Sequence, residues 1–189
     1  MSSNNVPNDL QFARIGDDVY IARTSVIKRP HLVELGHHIA IDDFFYLTTG
    51  ATLGDYIHIG PFVSVIGGPN TRFTLGHFTT VAAGCRIVCA SDKHLGAGLV
   101  SPVIPAEFRD EVISAPVTLE AFASLGTNVV VLPGVVLAEG SVVGANSFVS
   151  KSTEPWTIYV GSPAKPVRMR PHEKMKEYAE KLGYPQLNR

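Results

Sequence analysis

Seven histidines and the adjacent Asp42 and Asp43 are the residues of this 189-residue chain best suited to moving a proton at neutral pH. Imidazole is the side chain whose ordinary pKa lies nearest pH 7, which makes it the usual general base. His58 stands one residue before Ile59, and Asp42 and Asp43 follow Ile41. A carboxylate there can orient His58, bind a substrate hydroxyl or amine, or accept local backbone N–H bonds at a turn. His94 stands in a polar run with Asp92 and Lys93 and by its own surroundings reads as a solvated loop residue. His37, His38 and His77 fall near corners and read as structural or solvated. Cys85 and Cys89 offer a nucleophile, but no base stands beside them and Cys85 falls on an inward position, so a covalent route is set aside. Two cysteines also exclude a disulfide scaffold and a four-ligand zinc site.

The scaffold that holds these groups is written in a period of six. Ile15, Ile21 and Ile27 open it, and Leu35, Ile41, Leu47, Leu53, Ile59 and Val65 continue after a two-residue slip. Leu75, Val81 and Ile87 form a third block, and Leu119, Leu125, Val131, Leu137, Val143 and Val149 a fourth. A helix repeats at 3.6 and an ordinary strand at two. Six is a short strand plus a tight corner, with the anchor and the residue two before it pointing inward. Val33, Ala51, Val63, Ala123, Val129 and Val135 are those inward partners. Small residues after the anchor, such as Gly36, Gly54, Gly60, Gly76, Gly126 and Gly144, are expected to relieve a positive φ at the corner. Three such units close a triangular coil. Eighteen anchors give about six coils of parallel strands. An ordinary β-sandwich with accidental spacing is the alternative. His58 then faces outward between Ala40 one coil below and Thr80 one coil above, with space around it.

The expected organisation is an N-terminal segment (1–14), a coil domain (15–160) with a long insertion (88–116), and a C-terminal tail (161–189) with a helix over 172–182. The insertion carries Leu99, Val103, Ile104 and Phe108, which have apolar surface to bury and argue against disorder. Pro163, Pro166 and Pro171 are expected to end the strand ladder. The helix, with Met175, Tyr178, Ala179 and Leu182 on one stripe, is expected to cap the last coil, pack on a neighbouring subunit, or fray. A net charge of −1 recommends neither nucleic acid nor an anionic membrane as partner. Nothing reads as a secretory signal or a membrane span, so the expected address is the cytoplasm.

The pattern resembles the left-handed parallel β-helix of the hexapeptide-repeat acetyltransferases, and its handedness comes from that resemblance alone. The likeness runs from Ile15 to about Arg170. Its most specific parts are Leu132-Pro133-Gly134-Val135, Val143-Gly144-Ala145 and Gly161-Ser162-Pro163-Ala164-Lys165. Ile41-Asp42-Asp43-Phe44 and the loop from Ala90 to Pro105 resemble acyltransferases of surface polysaccharide biosynthesis, O-antigen included. In those the loop is expected to carry an aromatic where this chain has His94.

The resemblance implies an acetyl-CoA-dependent transfer to a sugar amine or hydroxyl, free, nucleotide-linked or lipid-linked, by direct attack in a ternary complex. Catalytic candidates are His58, His94 and Asp43. Gly126, Gly144 and Ala145 resemble the small positions along which the pantetheine arm runs. Lys151, Lys165 and Arg168 supply positive charge where the phosphates end up, and Trp156 or Tyr159 stacks near the adenine or covers the last coil. A homotrimer with three sites at its interfaces is implied as well. No metal is expected. The γ-type carbonic anhydrases built on this coil need three imidazoles, two of them five residues apart, and no histidine pair here has that spacing. A catalytically inactive scaffold is the remaining alternative class.

Overall fold

The computed structural model describes residues 4–7 and 9–188, so parts of the expected segments 1–14 and 161–189 lie outside it. The chain winds through three walls in strict rotation. The first wall stacks Val19–Ile21, Ile39–Ile41, Ile57–Ile59, Thr80–Val81, Ser124–Leu125, Val142–Val143 and Thr157–Val160, all parallel. The second stacks Val26–Ile27, Tyr46–Leu47, Ser64–Ile66, Arg86–Val88, Val130–Val131 and Phe148–Val149. The third stacks Val33–Leu35, Gly50–Leu53, Arg72–Leu75, Val117–Leu119 and Val136–Leu137. Every anchor from Ile21 to Val149 is buried, and so are the inward partners from Val33 to Val135. Ile15 is the exception at 37% exposed, because it lies at the open end of the stack.

The corners correct the expected use of glycine. Positive φ falls three residues after the anchor, at His38, Phe44, Tyr56, Phe62, Phe78, Gly84, Phe122, Asn128, Gly134, Gly140 and Asn146. The small residue directly after the anchor answers a different demand, because the next coil's backbone occupies the space its side chain would take. A Cβ on Gly76 would lie 2.5 Å from the Ala121 nitrogen, one on Gly60 2.8 Å from the Ala83 nitrogen, and one on Gly126 2.7 Å from the Ala145 nitrogen.

Aromatic residues at the positive-φ position stack into a column on the corner between the third and first walls. His38–Tyr56, Tyr56–Phe78 and Phe78–Phe122 have centroids 4.5, 5.2 and 5.3 Å apart. Trp156 continues the column, its ring lying over Gly140, and His172 stacks on Trp156 at 4.5 Å.

After one strand laid on the last coil the C-terminal residues run back along this column, so the expected helix does not cap that coil. Lys165–Met169 first pairs antiparallel with Thr157–Val160, with Pro166 tolerated at the sheet's edge. Arg170, whose guanidinium is lowered from its usual pKa by burial, then donates to the Phe122 and Gly140 carbonyls. Helix α1 (Glu173–Lys181) packs Met175 and Ala179 on the column, while Tyr178 and Leu182 of the expected stripe stay exposed. Lys176 pairs with Glu139 at 3.4 Å.

The insertion is ordered but not covered. Ala90–Asp92 pairs antiparallel with Val112–Ser114, yet Leu95, Leu99, Val103 and Phe108 are exposed by 58% or more. Their apolar surface is therefore unburied within one chain.

The arm is fastened by the Tyr184 phenol, which donates to Asp55 Oδ2 at 2.6 Å across 129 residues of sequence. Burial alone would raise the Asp55 carboxyl. The bonds from Tyr184 and the His37 backbone, with the nearby His77 and His37 rings, outweigh it and hold the group below the ordinary range. A depressed carboxyl contributes stability above its unfolded pKa, and that contribution is lost as pH falls through the folded value. Tyr184→Phe should therefore cost about 1–2 kcal/mol at neutral pH. The gap in melting temperature from wild type should narrow below about pH 4. A gap that widens in acid would contradict the latch.

Candidate functional site

Strand alternation turns His58 outward on the first wall, with Ala40 and Thr80 as its register partners below and above. Its side chain is 52% exposed, and its Nε2 lies 2.9 Å from Asp42 Oδ2. Asp42 sits directly after anchor Ile41, one coil below Gly60, so the coil stacking itself brings the pair together. A carboxylate only accepts, so the proton of the bond sits on Nε2, and in the neutral ring Nδ1 carries the lone pair. Among the described residues nothing else bonds the ring. Asp43 faces away. It accepts from the Thr24 hydroxyl at 2.7 Å, so the carboxylate on His58 belongs to Asp42.

From this pair, small residues run up the corner between the first and second walls: Gly60, Ala82, Gly126 and Gly144, with Ala145 beside the last. Near the top of the file a hollow of about 350 Å³ is lined by Lys151, Tyr159, Pro163, Ala164 and Lys165. Lys151 and Lys165 thus come together, in a setting that suits an anion. Arg168 lies further along the edge strand opposite Ile158 and does not line the hollow. Tyr159 does line it, and its hydroxyl accepts the Glu154 N–H at 2.9 Å. Trp156 is buried in the aromatic column instead.

His94 is exposed in the insertion with φ 58°, and Lys93 beside it pairs with Glu111. The insertion leaves the coil at the far end of the second wall. His94 and His58 are therefore separated by the width of that wall within one chain. A second hollow of about 350 Å³ lies at the insertion's root, where Asp92 and Arg109 meet Ile66 and Val112. In the sequence Asp92 stands out only as a neighbour of His94. The signal for its place is its position at the end of a strand leaving the coil.

His37, His38 and His77 hold the other corner. His38 lies 2.9 Å from Asp18, and the Asp17 and Asp55 N–H groups donate to His37 and His77 Nδ1 at 3.0 Å each. Cys85 donates to the Gly126 carbonyl at 3.1 Å and burial raises its thiol, while burial pushes Cys89 up to about 11. Among the described residues no cluster of three metal-ligating side chains forms, and no helix is long and apolar enough to cross a membrane.

No family model matches the chain. The dTDP-4-amino-4,6-dideoxy-D-glucose acyltransferase of Escherichia coli is 29% identical over 165 residues, 86% of this chain and 84% of that one. A variant of AntD, an N-acyltransferase from Bacillus cereus solved with dTDP-4-amino-4,6-dideoxyglucose and coenzyme A, is 30% identical with a TM-score of 0.88. It covers 97% of this chain and 99% of its own. The hexapeptide-repeat containing acetyltransferase of Vibrio cholerae shares the fold, with a TM-score of 0.52 at 24% identity over 84% of this chain and 74% of its own. With the three-walled parallel coil already described, these likenesses lead to one conclusion: the chain belongs to the hexapeptide-repeat, left-handed β-helix acyltransferases.

Proposed function

We propose that this protein moves an acetyl group from acetyl-CoA to an amino or hydroxyl group of a sugar, nucleotide-linked or otherwise a precursor of cell-surface polysaccharide. The observation that carries this reading is the His58–Asp42 pair at 2.9 Å, joined by a file of small corner residues to the hollow flanked by Lys151 and Lys165. From the strand of His58 to that of Val143 is three coil steps, about 14 Å at strand spacing. A narrow thiol-bearing arm laid along Gly126, Gly144 and Ala145 would keep its phosphates near the lysines and bring its thioester toward His58. The coenzyme A and dTDP-linked aminosugar held by AntD support both the donor and the acceptor class.

In this reading Asp42 fixes the imidazole through Nε2–H, and Nδ1 takes the proton from the acceptor amine or hydroxyl as it attacks the thioester carbonyl. The new C–N or C–O bond forms, the tetrahedral oxyanion is held by backbone N–H groups, and collapse breaks the C–S bond. His58 then returns its proton to the departing thiolate. Asp42 is a positioning residue here, and Asp43 is not assigned a catalytic role. His94 remains the rival base.

A homotrimer fits the same reading. The exposed Leu95, Leu99, Val103 and Phe108 call for cover, and a neighbouring copy is one way to supply it. A ring of three copies would bring the insertion of one, with His94 and Asp92, toward the first wall of the next, where His58 stands. An acyl-CoA donor is in keeping with a cytoplasmic address. A scaffold without activity would have no need for a paired, outward imidazole beside an open corner.

Purified protein, acetyl-CoA and a panel of free and nucleotide-linked sugars should release thiol with at least one amino sugar or sugar hydroxyl. Release with none of them would return weight to the scaffold. His58→Ala should lower kcat by about 10²–10⁴ with acetyl-CoA binding unchanged. A near-silent His58→Ala beside a crippling His94→Ala would transfer the base to the insertion. Because neither thiol is placed to react, the Cys85→Ala and Cys89→Ala variants should keep kcat within about threefold of wild type. Loss of turnover in a variant that remains folded would reopen a covalent route.

A further inference from the structure

The net charge of −1 conceals a division along the chain. The last 39 residues hold eight of the sixteen Lys and Arg but only four of the seventeen Asp and Glu, so the rest of the chain carries a charge of −5. Between Glu154 and Glu173 there is no carboxylate side chain at all, and that stretch contains Lys165, Arg168 and Arg170. Arg170 is engaged with the Phe122 and Gly140 carbonyls. Lys165 and Arg168 are exposed, and neither forms an ion pair among the described residues.

These two cations sit on the free rim of the first wall. Lys165–Met169 is the last strand of that sheet, paired on one side only, and all five of its residues are exposed. The ladder slips within it. Tyr159 faces Pro166 and Ile158 faces Arg168, so Val167 has no residue opposite and is the extra residue of a β-bulge. A bulge bends the strand and re-aims a side chain. Here the re-aimed side chain is apolar and 59% exposed, beside Met169 at 65% and Val160 of the adjoining strand at 46%. A proline, a bulge and cations on an edge strand also keep it from pairing with another strand. That role accounts for Pro166, Lys165 and Arg168, but not for three uncovered apolar side chains among them.

We propose that this rim docks on an anionic lipid surface. The cations meet the headgroup phosphates, and Val160, Val167 and Met169 enter the boundary between headgroups and acyl chains. Apolar area and positive charge acting together are what such a surface selects. Docking of this kind is peripheral and needs no spanning helix. A second copy is a poor occupant, because Pro166 offers no N–H to a pairing strand and two identical rims would set like charges together. A nucleic acid would take the cations but has no use for the bulged valine. In the trimer of the reading above, symmetry sets three equivalent rims at one height, so weak contacts with a flat partner reinforce one another. The inference goes beyond the acyltransferase reading and does not rest on it.

Co-sedimentation of the full-length protein with vesicles tests it, comparing pure phosphatidylcholine with a mixture that contains phosphatidylglycerol. Wild type should pellet with the mixed vesicles and stay in solution with the neutral ones, and high salt should release it. Val167→Glu should weaken binding by about tenfold or more, the scale of losing one buried valine, while Val167→Leu retains it. Arg168→Gln should weaken it severalfold. The molar mass in solution and the melting temperature should not change in any of the three variants. Wild type that ignores the mixed vesicles, or binds both kinds alike, would overturn the inference. So would a Val167→Glu variant that pellets like wild type, which would leave charge alone at work, or one whose molar mass falls, which would make the rim an interface between copies. Release of the bound protein by saturating acetyl-CoA would assign the cations to the coenzyme and overturn it too, leaving the acyltransferase reading standing.

Discussion

Adjacent coils can form continuous ladders only if their corners approach to strand spacing, and that approach depends on the size of the residue directly after each anchor. Where the chain has Gly36, Gly54, Gly60, Gly76 or Gly126, the neighbouring coil's backbone fills the place of a side chain. The aliphatic anchors supply the driving force of burial, but a side chain in these positions would pry the coils apart. Register is fixed as a consequence. Every third unit of six returns to the same column, and a column is what sets a group on one coil beside a group sixteen to twenty-two residues away.

Each column on the surface then has a distinct use. The corner of His38, Tyr56, Phe78, Phe122 and Trp156 is sealed by the C-terminal arm, which joins Tyr184 to Asp55 and Lys176 to Glu139 and so ties early coils to late ones. The opposite edge of the first wall is left open. His58 stands there over Asp42, small residues continue above it, and Lys151 and Lys165 converge near the top. Chemistry has the accessible corner, and stability is concentrated on the covered one. The insertion belongs to neither. It carries His94 away from His58 across the second wall, with an apolar exterior unburied within one chain.

Much of this is legible in the sequence because burial obeys a period. The anchors from Ile21 to Val149, their inward partners, and the placing of His58 between Ala40 and Thr80 all come from counting by six. Side chains at corners do not obey that count. Asp42 and Asp43 are adjacent, and only the turn of the backbone decides that the first meets His58 while the second meets Thr24. The role of the small residues is hidden for a related reason. Their spacing is visible, but the backbone 2.5 Å from Gly76 belongs to Ala121, forty-five residues on and beyond a long insertion. The contact of Tyr184 with Asp55 has no signal at all in the sequence, because no local pattern specifies a partner 129 residues distant.

The claim that coil contact at these corners governs the fold can be tested by one comparison of melting temperatures. Gly76→Val would thrust a branched side chain into the Ala121 backbone, whereas a Cβ on Gly68 meets nothing within 4 Å. Overpacking of about 2–3 kcal/mol should lower the melting temperature of Gly76→Val by roughly 5–10 °C, with Gly68→Ala melting as wild type does. Equal melting of all three proteins would contradict the account.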